Sequence, residues 1–154
     1  MSFPTLFPLG NFPMPAKTAV KAVEPKRKPK VQPTPQGSTY VKPDQMEWKP
    51  SPFKGIQIKV LYENKAKGEL TCLLKWEPGA SLPMHKHPEI EQTWVLEGSF
   101  YDHDGVCKAG EYVWRTPGSI HETHSDTGAV ILAIYRKPNM FYRDSGEVTS
   151  GYDT

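Results

Sequence analysis

The sequence predicts an all-β chain, a sandwich or barrel occupying one domain over residues 39–154. Three observations predict it. Short apolar runs recur between Gly, Pro, Asp and Asn turn signals, the pattern of a sandwich or barrel. No segment keeps a helical period over eleven or more residues. Eight of the sixteen prolines fall within residues 1–38, which removes backbone donors there and sets that stretch apart as a tail, disordered or an extended arm.

Taken in order, the candidate strands are Ile56–Tyr62, Leu70–Trp76, Ile90–Glu97, Ser99–Asp102, Tyr112–Thr116 and Ala129–Tyr135. Each is rich in β-branched or aromatic residues and bounded by breakers. Residues 64–68, Asn-Lys-Ala-Lys-Gly, read as a hairpin loop between the first two. The Asp104-Gly105 pair reads as a second turn, with His103 exposed on it. The run Ala129–Tyr135 is apolar at every position. One face should fill the core, and the other should meet a second sheet or a partner subunit.

The chemistry is concentrated in His85-Lys86-His87-Pro88-Glu89-Ile90-Glu91 and, further on, in Pro117-Gly118-Ser119-Ile120-His121. Residues two apart on a strand share a face, so His85 and His87 can converge on one ion. Pro88 suits a strand end or bulge. Glu91 opens the next strand and can stay beside the imidazoles, and the Pro117-Gly118 turn would deliver His121. Imidazole and carboxylate donors suit Zn, Fe, Ni or Mn. Glu89 shares the parity of the two histidines, so strand geometry alone does not exclude it. It follows Pro88, where the strand should break, and is expected in solvent. His124 is expected beside the site or exposed.

The stretch from Gly79 to Gly98 resembles the first motif of the cupin superfamily: Gly, five residues, His-x-His, three residues, Glu, six residues, Gly. Gly110, Thr116-Pro117-Gly118, His121 and Ser125 resemble the second, with Thr116 where proline is expected and Ser125 in place of Asn. The resemblance covers residues 45–137 and extends to the cupin domain of ChrR-type anti-sigma factors and to dioxygenases that cleave dihydroxyacetophenone or acetylacetone. It implies a jelly-roll barrel of roughly 110 residues and makes His85, His87, Glu91 and His121 the ligands of one divalent metal ion per chain. Acetylacetone-type enzymes use histidines alone, so Glu91 leans away from that subgroup. The implied activity is an Fe(II)-dependent dioxygenase cleaving a C–C bond in a small hydroxyaryl ketone or diketone. The alternatives are a zinc-binding sensor of anti-sigma type, or an isomerase or decarboxylase using Zn, Ni or Mn. The expected partners are a small substrate, O2 and a second copy of the chain. Trp94, Trp114, Tyr112, Met84 and Phe100 are candidate pocket walls.

The formal charge of +2 is unevenly spread. Residues 1–38 carry six basic groups and one acid, which leaves the remainder mildly negative and argues against a nucleic-acid surface. Lys26-Arg27-Lys28-Pro29-Lys30 reads as part of a solvated tail, and the apolar residues of Phe3–Leu9 as an arm for another subunit. No apolar run nears the ~20 residues of a membrane-spanning helix, and no secretory leader is evident. Cys72 and Cys107 form no close pair, so two reduced thiols in a cytoplasmic protein are expected.

Overall fold

The computed structural model of the chain describes residues 37–142 and 148–150. The expectations for Phe3–Leu9, for Lys26–Lys30 and for almost all of the 1–38 tail lie outside them. After a 3-10 turn at Pro43–Gln45 come eleven strands. These are β1 (Lys49–Pro50), β2 (Ile56–Asn64), β3 (Glu69–Trp76), β4 (Ala80–Lys86), β5 (Glu91–Tyr101) and β6 (Val106–Lys108). Then follow β7 (Tyr112–Arg115), β8 (Ile120–Ser125), β9 (Ala129–Tyr135), β10 (Met140–Tyr142) and β11 (Val148–Ser150). All pairings are antiparallel, in the order β1-β2-β3-β9-β5-β8-β4-β10-β11, with β6 and β7 also on β5. This is the cupin jelly roll. No helix among the described residues is long and apolar enough to cross a membrane.

The two expected strands Ile90–Glu97 and Ser99–Asp102 are one long β5. Residues 91–98 pair with β7 and β9, whereas residues 99–101 pair with β6 and β8. A register shift between Val95 and Glu97, followed by Gly98 at φ +68°, turns the strand from one sheet to the other. Only glycine fits there, because a Cβ would overlap the Gly128 carbonyl oxygen. The loop at 64–68 does close the β2–β3 hairpin, with Gly68 at φ +74° and its N–H bonded to the Asn64 carbonyl at 2.8 Å.

The core lies between the sheets. Its walls include Leu70, Cys72 and Leu74 from β3, Ile131 and Ala133 from β9, Val95 and Phe100 from β5, and Leu82 from β4. Strands β3 and β9 alternate strictly, with even residues of β3 and odd residues of β9 inward. Both cysteines are free and buried, and burial pushes the Cys72 thiol up to about 12.

Strands β4 and β8 carry the histidines. In β4 the inward residues begin as Ala80 and Leu82, yet His85 is also inward. A bulge makes this possible. Leu82 is opposite Thr123, and His85 is opposite His121, so Pro83 and Met84 face one residue of β8. The extra residue flips the parity of the strand and turns His85 into the interior. Pro83 donates no backbone hydrogen bond and sits in the bulge at no cost to the ladder.

A buried three-histidine cluster

His85 and His121 are direct cross-strand neighbours, and their Nε2 atoms are 3.1 Å apart. His87 lies just past β4, where its N–H bonds to the Ser119 carbonyl at 3.0 Å and its carbonyl accepts from Gly118 at 2.7 Å. The Pro117-Gly118 turn thus clamps His87 beside the start of β8, and His87 Nε2 is 2.9 Å from His121 Nε2. All three side chains are buried. Among the described residues they form the one group of three or more metal-ligating side chains.

The far side of each ring decides what the cluster can hold. His85 Nδ1 lies 2.8 Å from the Pro83 carbonyl, which can only accept, so this nitrogen carries the proton. His121 Nδ1 lies 2.8 Å from Asp102 Oδ2. Burial alone would raise the Asp102 carboxyl. Hydrogen bonds from His121 and from the Asp104 N–H, with the Arg115 guanidinium alongside, outweigh that and hold it below its ordinary range. An ionised carboxylate accepts, so His121 Nδ1 is also protonated. His87 Nδ1 lies 3.1 Å from Glu91 Oε2 but has no aligned hydrogen-bond partner. A carboxylate there favours the same tautomer.

Burial lowers His85 to about 4, against the opposing pull of Glu91 and the Pro83 carbonyl. It also lowers His121, against its bond to Asp102. These rings are therefore neutral near pH 7. With their protons on Nδ1, they turn bare Nε2 lone pairs on each other at hydrogen-bond distance, with no hydrogen between them. Such a contact is repulsive unless a cation lies among the nitrogens. The donor set therefore fits a divalent metal ion. Holding each imidazole by its outer nitrogen is how proteins orient metal-binding histidines.

Glu91, expected within the same group, is placed differently. Its Oε2 meets His87 Nδ1 and accepts from Asn139 Nδ2 at 2.8 Å. Burial works to raise this carboxyl, but His87, His85 and Asn139 hold it below its ordinary value. Glu91 still lines a cavity of about 20 Å³ with His85, His121 and Thr93, room for about one water or ion. Glu89 is exposed, as expected, and so is His103. His124 lies on the outer face of β8, against the Tyr101 ring.

The five candidate pocket walls fare unequally: Met84 lines an outer cleft with His121 and Tyr112 one with Asp102, whereas Trp94 and Trp114 line neither of these nor the interior cavities. Trp94, Trp114, Tyr112 and Met84 are outward and exposed; only Phe100 is buried. Strand parity explains the first three, because the inward residues of β5 are Thr93 and Val95. The larger interior cavity, about 270 Å³, is instead lined by Phe53, Ile56, Leu70, Leu74, Asn139 and Phe141, among others. It shares Leu82 and Tyr135 with the small cavity at the histidines. The Phe141 ring packs 5.0 Å from that of His85. Asp102, Asn139 and Phe141 carried no local signal in the sequence.

Residues 36–139 match the family model of the ChrR cupin-like domain. No curated protein matches the chain. Among solved structures, the acetylacetone dioxygenase of Acinetobacter johnsonii aligns with a TM-score of 0.68 at 19% identity, over 80% of this chain and 90% of that one. A cupin-like protein of unknown function from Ralstonia eutropha JMP134 aligns at 0.57 and 20% identity, over 62% of this chain and 64% of that one. The anti-sigma ChrR, solved with Rhodobacter sphaeroides SigE, gives 0.53 at 22% identity over 61% of this chain. The chain spans 50% of that one. At these identities the likeness is one of fold.

Proposed function

The chain belongs to the ChrR cupin-like family, and we propose that it is a mononuclear metal-dependent dioxygenase acting on a small hydroxyaryl ketone or diketone. The observation that carries this reading is the convergence of Nε2 atoms from His85, His87 and His121 inside the barrel. Structural zinc sites are closed by four protein ligands, whereas reactive sites keep a position open. Three converging imidazoles, with Glu91 turned to the back of His87, leave positions free. A three-histidine set also removes the reason for setting the acetylacetone-type enzymes aside.

Held by these nitrogens, Fe(II) would supply Lewis acidity and electrons for O2. The protein's own part is to fix and to exclude. The Pro83 carbonyl, Asp102 and Glu91 keep the ring protons on Nδ1. The apolar cavity beside Leu82 and Tyr135 receives the substrate's carbon skeleton, and Asn139 gives it one polar wall. The Phe141 ring shields His85 from water.

A zinc-binding sensor is the second reading, favoured by the family match to the ChrR cupin-like domain. Oxygen uptake separates the two. Protein loaded with Fe(II) should consume O2 with a 1,3-diketone or a hydroxyacetophenone, and His121→Ala should abolish the uptake. Tight zinc binding with no uptake for any such compound would overturn the enzyme reading.

A further inference from the structure

The larger interior cavity has two unlike ends. Its inner end adjoins the histidine cluster through Leu82 and Tyr135, and there the Asn139 amide is bonded to Glu91. Its middle is apolar, with one wall made by Phe53 and Phe141, whose ring centroids are 4.6 Å apart. Its outer end is charged. A register shift between Val60 and Tyr62 flips the parity of β2. Glu63, opposite the buried Leu70, therefore shares the inward face with Ile56 and Ile58. Glu63 and Lys65 both line the cavity and are both exposed, which puts them at its rim.

Around Lys65 the charge is positive. The loops at 64–68 and 136–138 carry Lys65, Lys67, Arg136 and Lys137 and no acid. Lys137 Nζ donates to the Lys67 carbonyl at 2.9 Å, which ties the two loops together. The flanking acids are Glu63, on the rim, and Glu69, which accepts from the Tyr62 hydroxyl at 3.0 Å. We propose that the cavity binds an arylalkyl carboxylate, with the ring inward against Phe53 and Phe141 and the carboxylate outward beside Lys65.

Size and chemistry agree. A dry apolar cavity of ~150 Å³ takes one benzene ring, and a water-sized group occupies ~30 Å³ of liquid. A volume of about 270 Å³ therefore holds a ring and a chain of roughly four such groups. Apolar walls with a few polar groups at the ends are how small-molecule sites fix orientation. An anion at the rim stays hydrated and gains the field of the surrounding cations. As a substrate, this ligand rests on the enzyme reading above: it would be a hydroxyaryl ketone or diketone whose carboxylate is remote from the reacting carbonyl. Its binding does not depend on that reading.

The test is calorimetry of the full chain loaded with Zn(II), titrated with phenylbutyrate and with the matching phenylbutanol. The carboxylate should bind about tenfold tighter at low ionic strength, the sum of a few exposed charge pairs. That advantage should shrink in ~0.5 M salt. Lys65→Gln should weaken the carboxylate roughly fivefold and leave the alcohol within about twofold. Glu63→Gln should tighten the carboxylate roughly threefold, and opposite signs at two rim residues cannot come from unfolding. Ile58→Trp, which fills the middle of the cavity, should abolish binding of both compounds. Unchanged zinc stoichiometry would report that each variant is folded. This pattern in a protein whose Fe(II) form takes up no oxygen would support the site and remove the enzyme reading. No binding of either compound at millimolar concentration, equal affinity for acid and alcohol, or a Lys65→Gln variant with wild-type affinity for the acid would each overturn the proposal.

Discussion

Asp102→Asn should weaken metal binding although residue 102 is assigned no contact with the ion. Oδ1 of Asp102 accepts the backbone N–H groups of Asp104 at 2.8 Å and Gly105 at 3.2 Å. The amide oxygen of asparagine can keep those two bonds, so the turn should survive. That leaves the new NH2 group facing His121 Nδ1–H and the Arg115 guanidinium, donors against a donor. His121 can relieve the clash by moving its proton to Nε2, which then points N–H instead of a lone pair into the cluster. Binding a metal must reverse that switch and forgo a charge-assisted hydrogen bond of ~1.5–3 kcal/mol. The expected loss is about 10–100-fold in affinity, the range seen when such outer partners are removed. Chelator competition with Zn(II) measures it, with Asp104→Asn, exposed on the same turn, as control. An affinity within about twofold of wild type in a folded Asp102→Asn protein would refute the tautomer argument.

Four further outcomes are expected. His85→Ala and His121→Ala should each cut metal content severely, and His103→Ala should not; metal analysis of the purified variants checks this. Glu91→Gln should resemble Asp102→Asn, because the carboxylate orients His87 from its outer nitrogen; a loss as large as that of a histidine deletion in the same competition assay would make Glu91 a ligand instead. The metal-free protein should lose stability on acidification. Unfolded His85 takes up a proton near pH 6.5 and folded His85 only near 4, so the unfolded chain binds more protons in between. The cost approaches about 3 kcal/mol by pH 4, and urea titrations of wild type and His85→Gln should show a flatter profile for the variant. Gly98→Ala should destabilise by about 3 kcal/mol or more, since left-handed strain and overlap with Gly128 combine. Gly110→Ala meets nothing within 4 Å and should cost only ~1–2 kcal/mol in the same titration.

Much of the fold was legible because the strands announce themselves. The all-β class follows from runs such as Ala129–Tyr135, and the 64–68 hairpin from its turn chemistry. Strands β4 and β8 were harder to see. Each mixes Ser, Thr, Pro, His or Lys with a few apolar residues, because its inward side holds the polar site. The bulge at Pro83 and Met84 has no sequence mark that separates it from a strand end, yet it decides which way His85 faces. The histidine spacing named three imidazoles that the fold does bring together. It could not place Glu91, whose direction depends on Asn139, forty-eight residues away. Nor could it find Asp102. The Asp-His-Asp-Gly run signals a turn, and only the pairing of Tyr101 with His124 brings that turn beside His121. The aromatic residues of β5 and β7 were assigned to the interior on chemistry, when strand parity sends them outward.

X-ray absorption of the protein loaded with one equivalent of metal tests the central claim most directly. Three imidazole nitrogens should surround the ion at ~2.0–2.2 Å, and the His121→Ala spectrum should show two. A spectrum fitted by one imidazole or none, or one unchanged by His121→Ala, would contradict a site built from the ends of β4 and β8.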